Sequence, residues 1–332
     1  MRHKIFALVI VTALFFGVVA VSSAQNVNLT IGLSVPSLEE TGFFATLTAE
    51  AQNAADAADA QLTILSADDD PAIEADNLAQ LIADGVDALL IYPLDAATVI
   101  AGVQAANEAN IPVFLLGEDV ERTESEIEVA SLVAADPTAI GELAASYFCE
   151  NVSEGSSVVA LAGISGLEAD AELAEDDYRV VALQAELEGI SAALASDCAA
   201  ISYTAQEGDT FTNEDSIAYL SNALGSNVGG VFAPNGELAL ATIRAARAAR
   251  LLSSIKILAA EVTPETLGAI ESNRLAGIVS ATPESLGQIG VETVLAVLGG
   301  EEVESTVSVQ LALVTSESVL EFRGQDDDRG DN

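Results

Sequence analysis

The chain has 332 residues, of which 52 are acidic and 11 are basic, and its net charge at pH 7 is −41. So negative a protein repels nucleic acids and anionic lipid surfaces, which argues against partners of either kind. Its single histidine, His3, lies in the amino-terminal leader described next, so the mature chain lacks imidazole for catalytic triads or zinc sites, and we expect neither an enzyme nor a cofactor.

The first 24 residues have the organisation of a secretory signal peptide. A basic start at residues 1–4 precedes an apolar segment at 5–21 and the small-residue cleavage site Ser22-Ser23-Ala24. We expect cleavage near Ala24 and a mature protein in the periplasm or outside the cell. A retained membrane anchor is the alternative interpretation.

Two cysteines, Cys149 and Cys198, remain in the predicted mature chain. In an exported protein, oxidising conditions favour their pairing, so we expect a structural disulfide. Two buried free thiols are the alternative.

The first half of the mature chain alternates predicted strands with predicted helices. The strands are expected at residues 29–35, 61–66, in the apolar run within 87–95, at 111–116 and at 127–133. Helices between them are indicated by apolar residues at helical spacing, and one of them begins with the cap signal Asp70-Pro71.

The apolar run within residues 87–95 stops at Tyr92, Pro93 and Asp95. Such a run is typical of a parallel strand that is buried on both faces. In open parallel sheets, ligands bind outside the carboxyl ends of the strands. Tyr92 and Asp95 are therefore the first candidates for ligand contacts.

Asp136-Pro137 repeats the cap signal and is predicted to begin a second domain. Further strands are expected at residues 157–161, 199–203, 228–232, 255–259 and 276–280, with helices around 170–188, 213–224 and 236–250 and after Thr263 and Thr282. Strands that alternate with helices predict parallel sheets covered on both faces, and the length of the chain favours two such sheets.

Five segments occur in an order that is typical of one family. They are Ile31–Ser34 with Phe43-Phe44, Ala88–Asp95, Ala109–Val113, Gly230–Leu240 and Gly287–Gly290. Together they resemble the ribose-type (type I) periplasmic sugar-binding proteins of ABC transporters. The resemblance implies an α/β fold with two Rossmann-like lobes, whose parallel sheets are joined by a three-crossing hinge.

The resemblance also implies a division of the chain into lobes. The expected segments are a signal peptide at 1–24, an N-terminal lobe at 25–134 plus 282–306, a C-terminal lobe at 135–281 plus 307–322, and a disordered acidic tail at 323–332.

The same family pattern places a small ligand between the lobes, in contact with residues that follow the strands. The candidates are Ser37, Thr41, Phe43, Phe44, Tyr92 and Glu118 from the first lobe, and Phe211, Asn235 and Glu261 from the second. Hydroxyl groups of a sugar need such donors and acceptors, and its ring faces pack on aromatic side chains. Phe43, Phe44 or Phe211 could instead belong to the core, and Glu261 could instead cap the next helix.

Three departures from the family's ribose binders argue against ribose as the ligand. This chain has Gly117-Glu118 where those proteins have Asp-Arg, no arginine within residues 170–177 where they have one, and Tyr92 in place of an asparagine. The planar guanidinium group of arginine donates paired hydrogen bonds in a geometry that other side chains do not reproduce. A cleft without it should reject anions and suit a neutral sugar, a polyol or a cationic ligand.

The resemblance implies a monomeric solute-binding protein that closes around its ligand and delivers it to the permease of an ABC importer. A sensory receptor that presents the closed state to a chemoreceptor or a histidine kinase is the alternative. A related repressor would need a basic headpiece that is missing here, and an extracellular hydrolase would have to work without histidine.

Overall fold

The computed structural model describes residues 29–38, 42–120, 127–164, 167, 173, 177–206, 211–224 and 227–322. The expected signal peptide, the candidate Thr41 and the expected tail at 323–332 lie outside these residues. Within the described ranges, no helix is both long enough and apolar enough to cross a membrane.

A first six-stranded sheet is built mainly from the first part of the chain. Its strands are β1 (Thr30–Val35), β2 (Gln61–Ser66), β3 (Ala88–Ile91), β4 (Val113–Leu116), β5 (Ser131–Ala134) and β11 (Thr306–Ser308), in the spatial order β11-β5-β4-β3-β1-β2. Its helices are α1 (Phe43–Ala57), α2 (Pro71–Asp84), α3 (Ala96–Glu108) and α9 (Pro283–Leu298). All neighbouring strands in this sheet are parallel.

A second six-stranded sheet follows. Its strands are β6 (Ser157–Ala160), β7 (Ser202–Ala205), β8 (Val228–Ala233), β9 (Lys256–Ala259), β10 (Gly277–Ala281) and β12 (Leu311–Val314), in the order β12-β10-β9-β8-β6-β7. Its helices are α4 (Pro137–Asn151), α5 (Tyr178–Asp197), α6 (Asn213–Ala223), α7 (Gly236–Ala248), α8 (Pro264–Glu271) and α10 (Val319–Phe322). The predicted two-lobed α/β class is thereby confirmed.

One edge of the second sheet differs from the all-parallel expectation, because β12 runs antiparallel to β10. The chain enters β12 at Leu311, opposite Ala281, the residue where β10 ends. The chain reaches β12 from β11 of the first sheet, so it enters the second sheet at the end where β10 leaves it and must run in the opposite direction.

Each sheet is covered on both faces, as the apolar runs predicted. Every residue of β3 and β4 is buried. Separate apolar clusters form on either side of both sheets. Continuous burial of this kind explains why these strands lack the alternating pattern of half-exposed strands.

The cap signals begin helices as predicted. Asp70, Asp136, Thr263 and Thr282 are the N-caps of α2, α4, α8 and α9, each followed by proline. Asp95 also proves to be an N-cap, since it accepts hydrogen bonds from the Thr98 backbone nitrogen at 2.8 Å and hydroxyl at 2.7 Å. These bonds hold the pKa of Asp95 below its ordinary value. The expectation that Asp95 contacts a ligand is therefore corrected to a helix-capping role.

Glycines allow two helix pairs to approach closely. A side chain at Gly141 of α4 would overlap the backbone of Glu186 in α5, and one at Gly189 of α5 would overlap Thr138. Likewise, a side chain at Gly287 of α9 would overlap the Leu47 carbonyl of α1. The Gly287–Gly290 segment of the family pattern thus has a packing role.

The boundaries of three elements differ most from the predictions, and one of them is β7, which spans Ser202–Ala205 where a strand was expected at 199–203. The helix expected around 170–188 begins at Tyr178, because Asp177 caps it by accepting from the Arg179 backbone nitrogen at 2.9 Å. The strand expected at 127–133 begins only at Ser131.

Three crossings connect the lobes, after residues 134, 281 and 308. The third falls two residues beyond the position expected from the sequence, because β11 belongs to the first sheet. The Val309 nitrogen donates to the Ala134 carbonyl at 3.1 Å, and the Thr282 nitrogen donates to the Gln310 carbonyl at 3.0 Å. The third crossing is therefore hydrogen-bonded to the other two.

Cys149 near the end of α4 and Cys198 at the end of α5 form a disulfide, with Cα atoms 5.6 Å apart. The bond joins two helices of the second lobe and encloses a sequence separation of 49 residues.

Candidate functional site

A cavity of about 1040 Å³ lies between the two lobes. It is lined by residues that follow β1, β3 and β4 of the first sheet and β6, β8 and β9 of the second. The carboxyl ends of both parallel sheets therefore face the same space, which is the expected ligand position in this class of fold.

Three aromatic side chains of the first lobe form one wall of the cavity, here called the aromatic wall: Phe43, Phe44 and Tyr92. The Tyr92 ring lies 5.0 Å from that of Phe44 and 6.0 Å from that of Phe43, both edge to face. Phe43 also contacts Phe322, which follows β12 of the second sheet, at a centroid distance of 5.8 Å. Both phenylalanines that the sequence singled out thus lie at the cavity.

The loop that carries Tyr92 is fixed from below by Glu74 of α2. This carboxylate is 1% exposed and accepts hydrogen bonds from the backbone nitrogens of Leu94 at 2.9 Å and Asp95 at 3.1 Å. Burial raises the pKa of Glu74, although the two hydrogen bonds oppose that change. The backbone that carries the Tyr92 ring is therefore held in place by hydrogen bonds within the first lobe.

Tyr92 faces two carboxylates from opposite lobes. Burial raises the pKa of the Tyr92 hydroxyl, and the negative charges of Glu118 and Glu261 act in the same direction. Glu118 follows β4, and Glu261 follows β9. The predicted candidates Tyr92, Glu118 and Glu261 are therefore brought together across the cleft.

The two carboxylates differ in their surroundings. Glu118 is exposed to the cleft, yet the surrounding protein displaces enough water to raise the pKa of its carboxyl, and the charge of Glu261 raises that pKa further. Glu261 accepts a hydrogen bond from the Gly236 nitrogen at 2.6 Å through Oε2. Gly236 is the first residue of α7, so Glu261 caps the start of α7. The sequence suggested that it could cap the next helix, which is α8.

Asn235 lines the cavity, but its amide is engaged within the protein. Its Oδ1 accepts from the Leu238 nitrogen at 2.9 Å, and its Nδ2 donates to the Gly163 carbonyl at 2.9 Å and to Asn213 at 3.1 Å. With 6% of its surface exposed, Asn235 mainly anchors the start of α7.

The remaining candidates have different positions. Ser37 lines the cavity. Phe211 is half-buried and outside the lining, and its carbonyl accepts from the nitrogen of Ile164, which does line the cavity. Phe211 therefore supports the cleft through its backbone in this arrangement.

Sequence reasoning missed the residues of α5 that line the cavity, among them Tyr178, Arg179 and Glu186. The Tyr178 hydroxyl donates to the Asp119 carbonyl at 3.0 Å, a hydrogen bond between the lobes. Burial raises the pKa of Tyr178 to about 12, against the opposing charge of Arg179. The cap residue Asp177, followed by apolar residues at helical spacing, was the signal that could have located the start of this helix.

Arg179 corrects the expectation of a cleft without arginine. Its Nε and Nη2 donate to Asp177 at 3.1 and 2.8 Å, and this carboxylate is nearly buried at 6% exposure. The Arg179 partner holds the pKa of Asp177 below its ordinary value. The positive charge of the arginine is thereby matched within the protein.

Glu186 contributes a carboxyl oxygen, Oε2, that is buried and has no hydrogen-bond partner among the described residues. Burial raises the pKa of Glu186 to about 8, so its carboxyl is mostly protonated at neutral pH. A protonated carboxyl can donate a hydrogen bond into the cavity as well as accept one. In the described ranges, no three His, Cys, Asp or Glu residues are grouped as metal ligands.

A two-lobed α/β fold with a polar and aromatic cavity between its lobes is typical of proteins that enclose a small solute. Residues 31–302 match the family model described as a periplasmic binding protein domain. The chain belongs to the periplasmic binding protein family.

Relatives and solved structures agree with this assignment. The ribose import binding protein RbsB of Escherichia coli is 32% identical over 305 residues, which cover 90% of this chain and 96% of that protein. RbsB of Haemophilus influenzae is 30% identical over 298 residues, covering 89% and 94%. The structure of the arabinose-binding protein AraP from Geobacillus stearothermophilus aligns with a TM-score of 0.66 at 14% identity over 89% of this chain and 99% of that one.

A periplasmic ribose ABC transporter structure from Conexibacter woesei aligns with a TM-score of 0.62 at 19% identity, covering 88% of this chain and 93% of that one. At these identities the two structures show the fold, whereas the family model and the RbsB relatives show the ribose-type family predicted from the sequence. The chain therefore has the role of a solute-binding protein and is not an enzyme.

Proposed function

We propose that this protein is exported and captures a sugar or polyol for an ABC importer. The observation that carries the proposal is the cavity between the lobes, lined on one side by the aromatic wall and elsewhere by both polar and apolar residues of the two lobes. Sugar rings pack their apolar faces on aromatic rings and direct hydroxyl groups to polar partners.

The relatives support the same class of ligand and partner. RbsB is named as a ribose import binding protein, and a solute-binding protein of Agrobacterium vitis with 21% identity was solved with α-D-tagatopyranose. We infer delivery to a membrane permease by a monomer in the periplasm or outside the cell, with the signal peptide removed near Ala24. Export also provides the oxidising conditions in which the Cys149–Cys198 disulfide forms.

Closure of two lobes around the ligand is the proposed mechanism. The moving units are the residues of the first sheet and those of the second, divided at the crossings after residues 134, 281 and 308. Contacts across the cleft, such as Tyr178 with Asp119, stabilise the closed state, and a bound ligand adds contacts to both lobes at once. The sensory alternative lacks a comparable observation, since the RbsB relatives are import binding proteins.

A thermal-shift screen tests this proposal. The panel contains D-ribose, L-arabinose, D-allose, D-tagatose, hexoses and myo-inositol, together with amino derivatives of the hexoses. A compound that binds only the folded protein raises its melting temperature, and at 100 times Kd the gain is about 2.7 kcal/mol. We expect at least one member to give a concentration-dependent shift that calorimetry confirms as stoichiometric binding.

Two variants locate the binding site. Tyr92→Ala removes part of the aromatic wall and should weaken binding at least about tenfold, as loss of a central aromatic contact does. Tyr147→Ala, which changes a half-buried tyrosine of α4 outside the cavity, should bind like the parent protein. No shift with any member of the panel would contradict the proposed function, and unchanged binding by Tyr92→Ala would contradict the proposed site.

A further inference from the structure

We propose that the ligand is an amino sugar or amino polyol, whose ammonium group lies between Glu118 and Glu261. This inference rests on the proposed function and specifies the chemical class of the ligand at the same site. It comes from the way in which the two lobes bring their charges together.

Two carboxylates from opposite lobes face the same cavity. Glu118 belongs to the first lobe and Glu261 to the second, and both line the cavity together with Tyr92. Burial and the charge of Glu261 raise the pKa of Glu118. Closing the cleft thus brings two like charges together in a partly dehydrated space, which is unfavourable unless a cation or a proton lies between them.

The arginine that the protein places at the cavity is paired with a carboxylate of its own helix cap. Arg179 lines the cavity, but its guanidinium is paired with Asp177. The carboxylate of Glu118 accepts no hydrogen bond from the described residues, and Glu261 has only Oε2 bonded, to the Gly236 nitrogen. The pair therefore retains acceptor positions that the charged hydrogen bonds of an ammonium group satisfy well.

The surroundings of the two carboxylates indicate the rest of the ligand. Tyr92 of the aromatic wall lines the same cavity and offers a ring to a neighbouring cation or to the apolar face of a sugar. Glu186 Oε2 is buried at the cavity and has no hydrogen-bond partner within the described ranges, and its mostly protonated carboxyl suits a hydroxyl group. These features call for a molecule that carries both hydroxyl groups and a positive charge.

Matched pairs of probes test the inference by calorimetry. D-Glucosamine, D-galactosamine and D-mannosamine are compared with D-glucose, D-galactose and D-mannose, and N-acetyl-D-glucosamine serves as an uncharged amine derivative. We expect at least one amino sugar to bind at least about tenfold more tightly than its parent sugar, in line with the greater strength of charge-assisted hydrogen bonds. The N-acetyl derivative should lose that advantage.

Variants connect the preference to the two carboxylates. Glu118→Gln and Glu261→Gln keep similar side-chain volumes but remove one charge each, so the ratio between amino sugar and parent should fall to about threefold or less. Glu108→Gln removes an exposed charge at the end of α3 and should leave the ratio unchanged. Thermal unfolding of each variant without ligand confirms that it remains folded.

The outcomes separate this inference from the proposed function. Parent sugars that bind as tightly as the amino sugars, or a preference that survives both glutamine variants, would overturn the inference and leave a sugar-binding protein. Amines without hydroxyl groups, such as ethylamine, that bind as tightly as the amino sugars would overturn both. A complete lack of binding by every member of the pairs would overturn the inference alone, because the wider panel of sugars and polyols decides the proposed function.

Discussion

Glu186 shows how the cavity changes the chemistry of a single residue. Its side chain comes from α5, which lies against α4 through Gly141 and Gly189, and this close packing holds it at the cleft. One carboxyl oxygen has no hydrogen-bond partner in the part of the chain that the structure describes, and burial raises the pKa of the group to about 8. In the unfolded chain the same carboxyl has a pKa of about 4.3.

This difference predicts how Glu186 affects stability at different pH. Between the two pKa values the folded protein holds a proton that the unfolded chain has lost, so the stability associated with this residue falls as the pH rises from about 4.3 to 8. The glutamine of Glu186→Gln cannot ionise, so this variant should raise the free energy of unfolding at pH 8 by about 2 kcal/mol relative to the parent. This is less than the full change in pKa implies, because the side chain keeps some contact with water.

Urea unfolding of both proteins at pH 4.5 and pH 8 measures the effect. At pH 4.5 the advantage of Glu186→Gln should nearly vanish, because the parent carboxyl is then protonated in the folded state. An equal advantage at both pH values would show that the burial of a charge is not its cause.

Three of the site residues that sequence analysis could find directly follow a recognisable strand. Tyr92, Glu118 and Glu261 meet at the cleft because the carboxyl ends of parallel strands converge there. Tyr178 and Glu186 lie on a helix whose start was predicted too early, so their orientation could not be worked out. Nor could the sequence reveal that Asn235 and Asp95 are used as helix caps, since that depends on which backbone nitrogens remain unpaired.

At the scale of elements, glycine positions determine how closely helices pack on one another. Gly287 of α9 faces the Leu47 carbonyl of α1, and Gly290 lies over Leu90 and Leu116 of the first sheet. The order of strands and helices followed directly from apolar runs and cap signals. The close contacts between helices could not be predicted in the same way, because they depend on tertiary geometry. In the sequence they are marked only by a glycine whose role is not evident.

Gly287→Ala should therefore destabilise the first lobe. The new methyl group would meet backbone atoms of α1, which cannot rotate away as a side chain can, so we expect a loss of about 1 to 3 kcal/mol in the free energy of unfolding. Chemical denaturation followed by circular dichroism gives the measurement.

Gly268→Ala provides the matched control. Gly268 also lies within a helix, α8, but a methyl group there would meet no atom within 4 Å. Alanine favours helix over glycine by about 1 kcal/mol, so this variant should be as stable as the parent or more stable. Equal effects at the two positions would refute the packing role of Gly287.

At the scale of the whole molecule, the excess of acidic residues is the dominant property. With a net charge of −41 at pH 7, the folded chain concentrates like charges that the unfolded chain holds further apart. Salt screens this repulsion, and at 1 M the screening length is about 3 Å. The melting temperature at pH 7 should accordingly rise as KCl increases from 0.1 to 1 M.

The same titration near the isoelectric point of about 4.1 is the control. There the net charge is close to zero, so the increase caused by salt should be much smaller than at pH 7. An equal increase at both pH values would point to a general salt effect on apolar burial in place of charge screening.

The hydrogen-bonded crossings between the lobes have a mechanical consequence. Because residues 309 and 310 are bonded to Ala134 and Thr282, the three crossings are linked to one another. We therefore expect them to move together when the lobes rotate. The outer faces that a permease would touch should then approach along the same path whichever solute is enclosed.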